Sequence, residues 1–104
     1  LNMIPRSETF RSLVESDPSN PLFRFSLGQA LFQENNFPAA IEHLHQAAEH
    51  KADWMMPRIL LGKTYLHLSQ KNLAKVAFQE ALKLAVSQGH EEPEAELRQL
   101  ISTL

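Results

Sequence analysis

Apolar side chains recur along most of this chain at three- and four-residue intervals, the spacing of one helix face. Behind Asn20 and Pro21, a capping residue and a residue suited to the first helical position, Leu27, Ala30 and Leu31 share a face. Asn35-Asn36 interrupts that helix and Pro38 opens the next, whose single stripe is Ala40, Ile41, Leu44, Ala47 and Ala48. Asp53 is placed to cap a third helix, with Pro57 in its opening turn and Leu61, Tyr65 and Leu68 along it. The polar stretch from Ser69 to Asn72 leads into a fourth. There Leu73, Val76, Ala77, Phe78, Ala81, Leu82 and Ala85 are expected to face inward, and Gly89 ends the helix. Two shorter helices flank these four. Residues 7–16 carry Phe10, Leu13 and Val14 before Asp17-Pro18 stops them, and residues 91–103 bring Leu97, Leu100, Ile101 and Leu104 to one side. Glu91, Glu92, Glu94 and Glu96 open that last helix, where its dipole favours negative charge. No segment alternates with period two, so the fold class is all-α with about six helices.

Composition narrows the chemistry. The 104 residues form one small domain, which buries about 60 to 70% of its unfolded surface. There is no cysteine, which excludes disulfides and thiolate metal sites. A formal net charge of -2 with mixed signs gives no electrostatic footprint for nucleic acid or an anionic membrane. Apolar runs such as Ile59-Leu60-Leu61 are far too short to span a bilayer. No charged segment followed by an apolar one opens the chain, and the expected location is cytoplasmic.

Sliding the sequence by 34 residues superposes Arg24 on Arg58, Leu27 on Leu61, Gly28 on Gly62, Ala40 on Ala74 and Ala47 on Ala81. Five identities are few, but they fall where packed helices must approach closely. With Leu31, Leu44, Tyr65 and Phe78, these residues give the sequence a pattern that resembles the tetratricopeptide repeat family. The turn Asp17-Pro18-Ser19-Asn20 is similar to that family's inter-repeat turn. The resemblance implies a right-handed stack of helix–turn–helix hairpins: a degenerate half-repeat over 1–20, repeats over 21–54 and 55–88, and a capping helix over 89–104. Gly28 with Ala40, and Gly62 with Ala74, are expected to let the helices of each hairpin touch. The chain departs from the family at its tryptophan, replaced by Arg24 and Arg58, and at its inter-repeat proline, replaced by Ala52 and Val86. Leu13 stands where a small residue belongs, and Glu96 falls at the glycine position.

The first helices of such hairpins line a concave groove that binds ligands, so the resemblance also implies a site. Its candidates are Leu22, Phe25, Gln29, Phe32 and Gln33 from the first repeat. Met56, Ile59, Lys63, Leu66 and His67 come from the second, Trp54 from the junction, and Leu97 from the last helix. Phe25, Ile59 and Lys63 are the expected contact residues. Left in water, these apolar groups form a patch that calls for a partner. The expected function is a non-catalytic adaptor taking a peptide or helix of a partner protein. The alternative is a self-association module whose groove is buried in a homodimer or by its own terminal segments. A clamp for a chaperone's terminal carboxylate is not expected, because Phe25, Ser26, Gln29, Ile59 and Leu60 stand where the basic residues would be. His43, His45, His50, His67 and His90 lack metal-ligand spacing and read as solvated surface histidines, so no metal or cofactor is expected. Without HExxH, a phosphate loop or a cysteine nucleophile, the chain is not expected to be an enzyme.

Overall fold

Asn20 caps as its position predicts: its side-chain oxygen accepts from the amides of Leu22 and Phe23 at 2.9 and 3.2 Å. The helix it opens is the second of six that the computed structural model shows among residues 4–104, the ones it describes. In order they are α1 (Arg6–Ser16), α2 (Pro21–Gln33), α3 (Phe37–His50), α4 (Met55–His67), α5 (Lys71–Ser87) and α6 (Glu91–Ser102). There is no strand among the described residues. Residues 1–3, part of the expected half-repeat and terminal segment, lie outside them.

Each helix packs on its neighbours in sequence, which stretches the stack to 43 Å along its longest axis. α2 also meets α4, whereas α3 and α5 stay apart. The stack therefore curves towards the face made by α2 and α4. Leu27, Leu31, Leu44, Ala48 and Leu61 form one core cluster, and Ala74, Phe78, Ala81, Ala85 and Leu97 form a second. Tyr65 packs against both.

The two hairpin turns share one backbone. Asn35 and Ser69 both take positive φ, 63° and 58°. The next amide then bonds five residues back, Asn36 to the Leu31 carbonyl at 2.8 Å and Gln70 to that of Tyr65 at 2.9 Å. Gly89, at φ 71°, closes α5 in the same way.

Several expectations need correction. Trp54, not Asp53, is the N-cap of α4 and supplies no side-chain bond; Asp53 instead pairs with Lys51 at 3.7 Å. Gly28 and Gly62 do lie where the hairpin helices approach, and what each faces there is the large residue of the second helix rather than the alanine. A Cβ on Gly28 would lie 2.7 Å from Leu44 Cγ, and one on Gly62 would run into the Phe78 ring. Each glycine is the socket for the large residue of the facing helix. Leu73 and Val76 do not face inward but are 49% and 51% exposed, because the contact stripe of α5 is the small-residue row Ala74, Ala77, Ala81 and Ala85. The last helix ends at Ser102, and Leu104, just beyond it, still packs with Leu100 and Ile101 on the second core cluster.

Leu97 is the most informative miss. It is 1% exposed and belongs to the core, not the groove. α4 begins 34 residues after α2, at Met55 against Pro21, but α6 begins 36 after α4, at Glu91. The extra length lies in α5, which runs 17 residues where α3 runs 14. With a 36-residue offset Pro57 aligns with Pro93, Leu61 with Leu97 and Tyr65 with Ile101. Arg98 then takes the glycine position, which is tolerable because no further helix packs against α6 among the described residues.

Candidate functional site

The face made by α2 and α4 is built from residues that each helix turns away from the core. On α4, Arg58, Leu61 and Tyr65 point to the α3–α5 side, while Ile59, Lys63 and Leu66 lie on nearly the opposite side. The corresponding residues of α2 are Phe25, Gln29 and Phe32, 34 positions earlier.

Most of the expected site residues do come together, in two groups. Near the start of both helices, the Phe25 and Trp54 rings pack with centroids 4.8 Å apart, tilted by 53°. Leu22 and Met56, repeat-equivalent residues in the first turns, are 58% and 45% exposed. Ile59 is half-buried against the second core cluster. Near the helix ends, Phe32, Lys63, Leu66 and His67 line a pocket of about 270 Å³. The His67 imidazole stacks on Phe37 at 4.5 Å and meets Phe32 edge-on at 5.3 Å. Gln29 is half-buried and Gln33 is exposed, the latter accepting from Arg6 at 3.5 Å. Phe37 was not among the expected residues. It opens the helix after the turn, and nothing in its spacing marks it as a neighbour of His67.

Lys63, the one lysine on this face among the described residues, is already engaged: its Nζ lies 3.3 Å from Glu96 Oε1 of α6. That pair brings a side chain of α6 to the edge of the groove, although the α4 and α6 backbones do not approach closely. α6 packs on α5 and does not lie across α2 and α4, so it does not occupy the groove.

The opposite face carries a cleft of about 460 Å³ between α3 and α5, floored by Ala48 and Leu61. Arg58 spans it to Glu80 at 3.3 Å and also donates to the Ala52 carbonyl at 3.5 Å. Arg24 repeats that role. Its Nε donates to the Pro18 carbonyl at 2.8 Å, and its Nη1 donates to His43 Nδ1 at 3.0 Å. Pro18 and Ala52 are 34 residues apart, so both arginines brace the turn before their own helix to the helix after it.

His43 is therefore not a solvated surface histidine. Burial pushes its imidazole below the usual histidine range; Glu42 opposes this, while Arg24 and Arg11 reinforce it. Among the described residues no group of three or more His, Asp or Glu is placed to hold a metal ion. No helix among them is long and apolar enough to cross a membrane.

No family model matches the chain. A stretch of 73 residues, 70% of the chain, is 27% identical to the DnaJ homolog subfamily C member 7 homolog of Dictyostelium discoideum. The chain spans only 14% of that relative's length. Among solved structures, PcrH in complex with the chaperone binding region of PopD matches with a TM-score of 0.89 and 18% identity, over 93% of this chain and 74% of that one. The TPR2B domain of yeast Sti1, in complex with pHsp70, matches at 0.85 and 16% identity, over 92% and 77%. A tetratricopeptide repeat domain protein from Salinibacter ruber matches at 0.75 and 23% identity, over 84% and 88%. The fold is that of tetratricopeptide-repeat domains. In this fold α2 and α4 are the first helices of the hairpins α2–α3 and α4–α5.

Proposed function

We propose that this chain is a non-catalytic adaptor whose α2–α4 face takes an apolar segment of a partner protein. The observation that carries the proposal is the half-open apolar surface of Leu22, Phe25, Trp54, Met56 and Ile59 on that face. Isolated exposed apolar residues are ordinary, but a contiguous set on one curved face is the form of a peptide-accepting groove. The comparisons add support: PcrH is seen with the chaperone binding regions of PopD and PopB, and Sti1 TPR2B with pHsp70. Phe25 and Ile59 would form the floor, Leu22 and Met56 the rim, and the pocket of Phe32, Lys63, Leu66 and His67 a second anchor point. Gln29 and Gln33 would supply hydrogen bonds to the partner's backbone.

The proposal includes the division into a half-repeat over 1–20, repeats over 21–54 and 55–88, and a closing helix over 89–104. It also includes a cytoplasmic site of action, which fractionation of the host cell would test. The groove itself is tested by selecting displayed peptides on the wild type and on a Leu22→Glu/Met56→Glu variant. Both residues are exposed enough for the variant to keep its helical circular dichroism. Peptides retained by the wild type and lost by the variant support the adaptor. Equal retention by both proteins sinks it, and a concentration-dependent mass for the wild type alone shifts the assignment to a homodimer.

A further inference from the structure

The groove has an uneven charge, and this distinguishes its walls. α2 presents no charged side chain to it, and α4 presents only Lys63, which is tied to Glu96. α6 follows at the edge with its own row of residues. With the 36-residue offset, Met56 is followed by Glu92, Ile59 by Ala95 and Lys63 by Gln99, all exposed. The neighbouring Glu91 is exposed as well. Among the described residues no cation pairs with Glu91 or Glu92, whereas Glu94 of the same turn is held by Arg98 at 3.0 Å. The other cations stand elsewhere: Lys71, Lys75 and Lys83 on α5, and Arg58 in the opposite cleft. In repeat register the apolar rim of Leu22 and Met56 is thus followed by an acidic edge, Glu91 and Glu92, that no cation of the described residues pairs. Such an edge attracts cations, and it repels an acidic segment by like charge.

Resting on the adaptor proposal above, we propose that the partner segment is basic as well as apolar. Its apolar side chains seat on Leu22, Phe25, Trp54 and Met56, and a Lys or Arg beside them faces Glu92. α6 meets α4 through the Lys63–Glu96 pair rather than by helix packing, so the expected motif is an apolar anchor with a basic residue further along the same segment, at a spacing that selection itself defines. A neutral apolar peptide would fit the floor but leave the edge unused, and an acidic one would be excluded.

The probe is a displayed peptide library with a fixed apolar anchor and randomised flanks, followed by fluorescence anisotropy on synthetic peptides that carry Lys, Gln or Glu at the selected position. Enrichment of Lys and Arg is expected, with the Lys peptide binding at least about tenfold tighter than the Glu peptide at low salt. That ratio should narrow as salt rises. A Glu91→Gln/Glu92→Gln variant should bring the Lys and Glu peptides to within about twofold of each other. Glu94→Gln removes the same kind of first-turn charge away from the groove, so it should leave the ratio unchanged. Loss of the preference in Glu94→Gln to the same degree would mean a general helix effect and would overturn the assignment of Glu92. Groove-dependent peptides with no charge preference, or with acidic flanks, would overturn the basic partner while leaving the adaptor standing. If no peptide distinguishes wild type from Leu22→Glu/Met56→Glu, both proposals fall together.

Discussion

The hairpins α2–α3 and α4–α5 are two solutions to one packing problem. Each sets a glycine against a large side chain of its second helix, Gly28 with Leu44 and Gly62 with Phe78. Each ends its first helix in a left-handed residue, and each has an arginine bracing the preceding turn. They differ in how much slack is left. Leu44 and Phe78 are both wholly buried, but the leucine side chain can turn about two torsions to yield, whereas the Phe78 ring is a rigid plate with three ring atoms crowding its glycine. The second hairpin is therefore the tighter and more brittle one.

Breaking this comparison starts at the glycines. Gly62→Ala should cost about 3 kcal/mol and Gly28→Ala about 2 kcal/mol in chemical denaturation. Combining Gly62→Ala with Phe78→Leu, which gives the second hairpin the first one's partner, should make the added methyl less costly than it is opposite phenylalanine. If the two glycines prove equally tolerant, the difference in slack is wrong. Asn20→Ala should cost about 1 kcal/mol, because α2 has a side-chain cap where α4, opened by Trp54, has none. Ser69→Gly should gain about half a kcal/mol, since serine holds a left-handed conformation that Asn35 tolerates better in the first turn.

The smallest expected effect is a pH response confined to the first hairpin, where His43 stands and the second hairpin has Ala77. Folding holds the imidazole below its usual pKa, so the unfolded chain binds the proton more readily. The stability this contributes is present above the unfolded histidine's pKa and is lost as pH falls through the range below it. His43→Gln keeps an acceptor for Arg24 and should flatten that part of the melting-temperature profile. An unchanged profile would show that His43 is not the group responsible.

The amphipathic stripes made six helices legible, and a 34-residue shift made their stacking legible, because close contacts demand small residues at fixed places. What stayed hidden has physical reasons. Leu97 was misplaced because the offset stretches to 36 residues in the last step, and the identities that mark the change, Pro57 with Pro93 and Leu61 with Leu97, appear only at that longer offset. Leu73 and Val76 were misread because α5 packs through a row of alanines with Phe78 alone among its large residues set fully into the core, so these two are left outside. The bracing arginines were visible as an identity, but one partner of each is a backbone carbonyl, which leaves no trace in side-chain pattern, and the other differs, His43 for Arg24 and Glu80 for Arg58. The apolar groove residues were readable as the face left over from packing. The edge that α6 adds was not, since its placement depends on the longer offset.

α1 has a property that its own residues do not explain. Its N-cap, Pro5, offers no side-chain bond, and the amide and hydroxyl of Ser7 are instead held by the Glu34 carboxylate at 3.1 and 2.7 Å. A helix of 11 residues is too short to persist alone in water. Its order thus comes from packing on α2, through Val14 and Phe10, and from the Glu34 carboxylate at the C-cap of α2. Anything that drew Glu34 aside, such as a ligand seated at the far end of α2, would fray the first turn of a helix it never touched. The order of that turn would then report the state of the groove.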